Sequence, residues 1–186
     1  MRPEIQAVAE DPFAGTNLVR DGVVVTALPG AARFVLRCAP ASAALLGEQT
    51  GWPLAALHLR ALVAGQRSAL RLGPDEWLLR DAADTQLATE EAFSALQPDA
   101  SHSLVDVSHR QLALSLKGAK AASLLNAGCP LDLEDAVFPI GCCTRTLLGR
   151  TEITLWKASE DHFHIEVWRS FAQYAWTFLE TAARDI

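Results

Sequence analysis

The tetrad Gly-x-Pro-Leu occurs twice, as Gly51-Trp52-Pro53-Leu54 and as Gly128-Cys129-Pro130-Leu131. Each copy follows a short Ala/Leu-rich stretch, Ala41 to Gln49 and Ala119 to Asn126. A glycine just past a helix takes the left-handed cap conformation, and a proline soon after it cannot continue the helix. The tetrad is therefore a helix stop, and Pro40 sits where a first helical turn accepts it. The elements around the two stops match. Ala32–Cys38 is a β-branched and aromatic strand before the first, and Gln111–Leu116 a strand before the second. After the first stop come strands at Ala55–Val63, Ser68–Leu72 and Trp77–Leu79 and a helix over Thr85–Gln97. After the second come strands at Thr144–Leu148, Glu152–Lys157 and His162–Trp168 and a helix over Ser170–Ala183. Turn chemistry at Gly73–Glu76 is answered by Ser159–Asp161.

This doubling constrains the fold more than any other feature. It predicts an α+β domain of two pseudo-repeats, 21–100 and 101–186, each strand–helix–strand–strand–strand–helix. Neither half is large enough to bury much of a core alone, so the halves are expected to share antiparallel or mixed sheets. Gly22–Leu28 reads as a further strand, joined through Pro29-Gly30 to Ala32–Cys38 as a hairpin. Residues 1–20, with Pro3, Pro12 and Gly15 and no periodicity, read as a flexible arm. In the last helix Phe171, Tyr174, Ala175, Phe178, Leu179 and Ala182 follow a helical apolar stripe, with Trp176 off it. Leu87, Phe93 and Leu96 do the same in the earlier helix.

Half of the residues are hydrophobic, which supports a real core. A net charge of −6 argues against nucleic acid as a partner, because phosphate binding needs a basic surface. No run of about 18 apolar residues is present, so no membrane span is expected. The first twenty residues carry acids and lack an apolar core, unlike a secretion signal, and the chain reads as cytoplasmic. The four cysteines form no Cys-x-x-Cys pair and read as buried thiols.

Asp106, Ser108, His109 and Arg110 supply residue types of a nucleophilic site. Strand periodicity sets Asp106 and Ser108 on one face and His109 on the other, so they read as a polar edge strand holding backbone or an arginine. His162, His164 and Glu166 share one strand face at a metal-like spacing, but no third ligand is evident. A solvent-facing or interface-facing strand is the better reading. No glycine-rich nucleotide motif occurs. The five tryptophans are more telling. Trp156 and Trp168 oppose the more apolar faces of their strands. With Trp176, Arg145, Arg150 and Arg169 they form the candidate partner surface, since Trp and Arg are enriched where proteins bind. No catalytic, cofactor-binding or metal-binding residue is assigned.

Five segments in this order resemble one family. They are Gly73–Leu79 (GPDEWLL), Val105–Gly118 (VDVSHRQLALSLKG), Gly128–Leu133 (GCPLDL), Phe138–Gly149 (FPIGCCTRTLLG) and Trp168–Leu179 (WRSFAQYAWTFL). From about Gly22 onward the chain is similar to the gamma subunit of heterotetrameric sarcosine oxidase. That family is similar in fold to the folate-binding domain of the glycine-cleavage aminomethyltransferase. The resemblance implies an accessory, non-catalytic subunit of a complex that converts sarcosine, tetrahydrofolate and oxygen to glycine, 5,10-methylenetetrahydrofolate and hydrogen peroxide. It places FAD, FMN, NAD and tetrahydrofolate in the partner alpha, beta and delta subunits, with the alpha subunit in direct contact. In the aminomethyltransferases a strand carries an aspartate for the folate amine, and a Val-x-Asn-Ala motif follows. Here Ser68–Leu72 has no acid, and Leu79-Arg80-Asp81-Ala82 stands in the motif's place. Two alternatives stay open: a free-standing folate or one-carbon binding protein with aminomethyltransferase-like chemistry, and a self-associating domain without enzymatic role.

Overall fold

The computed structural model describes Phe13 and residues 15–186. In chain order the strands are β1 (Asn17–Arg20), β2 (Val23–Ala27), β3 (Ala32–Cys38), β4 (Ala61–Ala64), β5 (Arg67–Arg71), β6 (Glu76–Asp81), β7 (His102–Asp106), β8 (Gln111–Lys117), β9 (Cys143–Leu148), β10 (Thr151–Ser159) and β11 (His162–Trp168). The helices are α1 (Pro40–Thr50), α2 (Gln86–Ser94), α3 (Ala121–Asn126) and α4 (Ala172–Ala182), the last preceded by a 3-10 turn at Arg169–Phe171.

All strand pairs are antiparallel, and they form two sheets. One has the order β1-β2-β8-β11-β10-β9 and the other β4-β5-β6-β3-β7. The two orders superpose element for element, with β4, β5, β6, β3 and β7 answering β9, β10, β11, β8 and β2. The duplication read from Gly-x-Pro-Leu is thus a duplication of sheets. Each half also lends its opening strand to the other: β2 pairs with β8, and β7 pairs with β3. The expected hairpin between Gly22–Leu28 and Ala32–Cys38 therefore does not form. Pro29-Gly30 is a crossing from one sheet to the other.

Period-two alternation divides each strand between two surroundings. Phe163, Ile165 and Val167 of β11 pack under α3 and α4 with Leu124, Leu125, Ala175 and Leu179. Phe34, Leu36, Trp77 and Leu79 of β3 and β6 pack under α1 and α2 with Leu46 and Phe93. The order of layers is helix, sheet, sheet, helix. Only a small apolar cluster lies between the sheets, centred on Leu70, Leu78, Val107 and Cys143. At one end the sheets are joined by backbone: Ala61 N–H donates to Gly141 O at 2.8 Å, and Cys143 N–H to Leu59 O at 3.1 Å.

The first helix stop works as expected, with Gly51 at φ +72° and its N–H donating to Gly47 O; Gly128 does not take the left-handed conformation, and α3 ends on Ala127 in the right-handed region. Trp52 and Leu54 then turn into the core, as Cys129 does after Gly128. Gly128 is held to glycine by close approach, because a Cβ there would lie 2.4 Å from Phe178 Cζ.

Four further expectations are corrected. Asn17–Arg20, assigned to the arm, is strand β1, and Phe13 stacks on Trp176 at 5.7 Å; residues 1–12 and Ala14 lie outside the described residues. The strand read over Ala55–Val63 begins only at Ala61, since Leu59 takes φ +57° and breaks the extended run. In α4 the buried positions are Ala172, Ala175, Trp176 and Leu179, a stripe displaced by about one residue from the expected one. Small alanines let the helix approach the sheet, while Phe171 and Tyr174 stand at its margin. Leu87, likewise placed on the core face of α2, is exposed.

Candidate functional site

The space between the sheets is polar, and this is unusual for a sandwich. From β11 it receives His164, Glu166 and Trp168; from β3, Arg33, Val35 and Arg37; from β6, Glu76, Leu78 and Arg80. Glu166 lies at its centre with 1% of its surface exposed. Arg33 Nε donates to Glu166 Oε2 at 2.6 Å, and His164 Nε2 lies 2.8 Å from Glu166 Oε1. An ionised carboxylate only accepts, so Nε2 carries the proton of His164. Arg80 Nε stands 3.6 Å from Glu166 Oε1, an ionic contact without a hydrogen bond. Burial pushes the Glu166 carboxyl up, but Arg33, His164 and Arg80 together outweigh it and hold it below the usual carboxylate range. Arg80 is pushed down by burial, an effect that Glu166 opposes and Arg33 reinforces. The strand face of His162, His164 and Glu166 is therefore neither solvent-facing nor a ligand set. It is the inner face of a buried ion cluster. His162 turns aside to Ser115 Oγ at 2.9 Å. Among the described residues no group of three or more His, Cys, Asp or Glu side chains could hold a metal ion.

The Asp106-x-Ser108 segment braces this cluster. Arg33 N–H donates to Ser108 Oγ at 2.9 Å, and Ser108 donates through N–H and Oγ to Asp106 Oδ1 at 2.7 and 2.5 Å. The expectation that these residues hold backbone is met at the very residue whose side chain pairs with Glu166. The hydroxyl is engaged by Asp106 and Arg33, and His109 takes no part in it. Cys38 and Cys143 are no better as nucleophiles, since burial pushes their thiols up to about 11 and about 12.

The polar seam opens at two edges. At one, Trp168 is 44% exposed, and the Arg110 guanidinium lies over its ring, 5.4 Å from the centroid. Arg145 and Arg37 share the carboxylate of Glu76. Exposed Phe171 shares a hollow with Trp168, Thr151 and Glu152, and Leu147 pairs across the strands with Glu152. Exposed Val105 lies beside Val35, which lines the adjacent cavity with Trp168, Arg110 and Arg145. Two arginines share one buried-edge carboxylate here and a third, Arg110, lies over Trp168, on a chain of net charge −6. At the other edge a cavity of about 410 Å³ is lined by Pro29–Ala31, the β4–β5 turn, Ser68, Arg80, Asp81 and Trp156.

The candidate partner residues thus fall into different places. Trp168 and Arg145 meet at the first edge. Trp156 is half-buried at the second, 5.7 Å from the His164 ring. Trp176 is 9% exposed and stacked on Phe13, so it is turned into the core. Arg150 lies in the β9–β10 turn, its N–H donating to Tyr174 Oη at 3.0 Å. Arg169 Nε donates to His109 O at 3.2 Å. Sequence reasoning missed Arg33 and Arg80, left Arg110 with the polar edge strand and put Phe171 on the apolar stripe of the last helix. The signal for Arg33 was a charge flanked by alanine and phenylalanine in a mostly apolar strand.

Fold and site together define a duplicated α+β sandwich whose polar residues join its halves, and whose exposed aromatic and arginine side chains gather at one edge. The chain belongs to the sarcosine oxidase gamma subunit family, whose model matches residues 37–185. It is 31% identical over 143 residues to sarcosine oxidase subunit gamma of Corynebacterium sp. (strain U-96), covering 75% of this chain and 68% of that one. Its structure is similar to a chain of the heterotetrameric sarcosine oxidase from Corynebacterium sp. U-96 in complex with pyrrole 2-carboxylate, at TM-score 0.78 and 26% identity, over 88% of this chain and 84% of that one. The fold extends to the glycine cleavage system aminomethyltransferase T from Bartonella henselae, at TM-score 0.63 and 15% identity, over 88% of this chain and 49% of that one.

The residues present do not fit the folate amine that the aminomethyltransferase likeness brings to mind. Strand β5 puts Ser68 and two arginines where an acid is wanted. Asp81 is already bound, accepting from Arg67 Nε at 3.0 Å and from Ala82 N–H at 2.8 Å.

Proposed function

We propose that this chain is an accessory subunit of a sarcosine oxidase complex, with no active site of its own, docked on the larger alpha subunit through the edge built around Trp168. Family membership carries the first part of this reading. The stacked, exposed Trp168–Arg110 pair carries the second, with Phe171, Leu147 and Val105 as its apolar surround and Arg37 and Arg145 at its rim. Aromatic and arginine side chains in one desolvatable patch supply most of the energy of many interfaces. The rigidity of the seam supports the role, because a patch held on two welded sheets loses little entropy on binding. In this reading the beta and delta subunits complete the assembly, and FAD, FMN, NAD and tetrahydrofolate are carried by the partners.

Purification of the tagged chain from its native cells tests this directly. Co-elution of flavoprotein subunits in fixed proportion is the expected result. Recovery of the chain alone, or only as a dimer of itself, contradicts it.

A further inference from the structure

The cavity at the second edge has no part in the docking just described, and its lining is incompletely paired. Ser68 is buried, and its Oγ has no hydrogen-bond partner; the buried Nε of Arg80 has none either. Orphaned buried polar atoms are uncommon and call for a reason. The charges around the cavity are unbalanced. Arg67 is matched by Asp81 at 3.0 Å and Arg33 by Glu166 at 2.6 Å, which leaves Arg80 with only a share of Glu166. One guanidinium is thus in surplus, next to a hydroxyl free to donate. Trp156 forms one wall, and Pro29 and Val63 add further apolar surface. The volume of about 410 Å³ lies within the range of small-molecule sites.

We propose that this cavity binds a small carboxylate carrying a flat apolar body, its oxygens accepting from Arg80 and Ser68 and its body lying against Trp156. A guanidinium matches a carboxylate in plane, and a bond to a charged group is the stronger kind. The ligand then accepts hydrogen bonds from this site, whereas the folate amine donates them to an acid that β5 lacks.

Benzoate is the probe and benzamide its neutral isostere, titrated into the full chain by calorimetry and tryptophan emission. Benzoate is expected to saturate a single site, with benzamide about tenfold weaker or worse, as fits loss of a charge-assisted bond. Arg80→Gln should weaken benzoate by about tenfold or more, and Ser68→Ala by about three- to tenfold. Trp156→Phe should keep the heat of binding and lose the emission change. If Arg80→Gln fails to fold, Ser68→Ala and the benzamide comparison decide. No saturable benzoate binding, equal binding of benzamide, unchanged affinity in Ser68→Ala, or an emission change that survives Trp156→Phe would each overturn the assignment.

Discussion

Replacing Glu166 by glutamine is the most revealing single perturbation of this fold. The amide keeps the shape of the carboxylate and removes its charge, so Arg33 loses its counterion in a place with almost no water. Arg33 itself is 1% exposed, and Arg80 depends on the same carboxylate. Leaving a buried charge uncompensated costs about 3–5 kcal/mol. Total stability for a protein of this kind is about 5–15 kcal/mol, so the variant should fold but unfold at a clearly lower urea concentration. The pH dependence has a definite sign. Glu166 is held below its unfolded value of about 4.3, so its contribution is fully present above that pH and is lost as pH falls through the folded value. The stability gap between native chain and Glu166→Gln is therefore constant near neutrality and narrows in acid. Urea unfolding followed by tryptophan emission across this range measures both effects. Adding Arg33→Met to Glu166→Gln should cost less than the two single changes together, by about 0.5–3 kcal/mol. A single-variant loss under about 1 kcal/mol, or strict additivity, would refute the view that this pair welds the sheets.

Other consequences follow from the same geometry. Gly128→Ala should destabilise by about 1–3 kcal/mol in thermal or urea unfolding, because its methyl group must displace the Phe178 ring. Cys143 should resist alkylation in the native chain at neutral pH and react on unfolding, since burial pushes its thiol up to about 12. His162 is pushed down by burial, with Lys117 and His164 adding to the effect, so it favours the neutral form in the folded chain. Its contribution is complete above the unfolded value of about 6.5 and is lost as pH falls below it; His162→Gln should flatten the stability profile there. Trp168→Ala should weaken recovery of the complex by the equivalent of about 2 kcal/mol or more and leave the isolated chain's unfolding nearly unchanged.

Much of the fold was legible because local chemistry announced it. Gly51 stops its helix by the left-handed geometry that its place in the sequence implies, Gly128 follows the second helix without that geometry, and the match of the two tetrads exposed the duplication. Partnership between distant strands was less visible. Pro29-Gly30 marks a break, but nothing local says that β2 continues in the other half's sheet. Leu57 and Leu59 alternate like a strand, yet the Leu59 backbone takes the left-handed region and pairing waits for Ala61. The last helix carries two neighbouring stripes, and periodicity alone did not show that the alanines and Trp176 lie inward. The site was hardest to read. Period two separated Asp106 and Ser108 from His109 correctly, but Arg33, Arg80 and Glu166 come from three strands distant in sequence. Only the stacking of the sheets brings them together, and with them the two edges where the seam opens.

Docking through the Trp168 edge requires that this edge be covered in the assembled complex. Hydroxyl-radical footprinting of the isolated chain and of the complex measures this residue by residue. Trp168 and Phe171 should label strongly in the isolated chain and lose that labelling in the complex, while Trp176 stays weakly labelled in both. Equal labelling of Trp168 in the two states would contradict the claim.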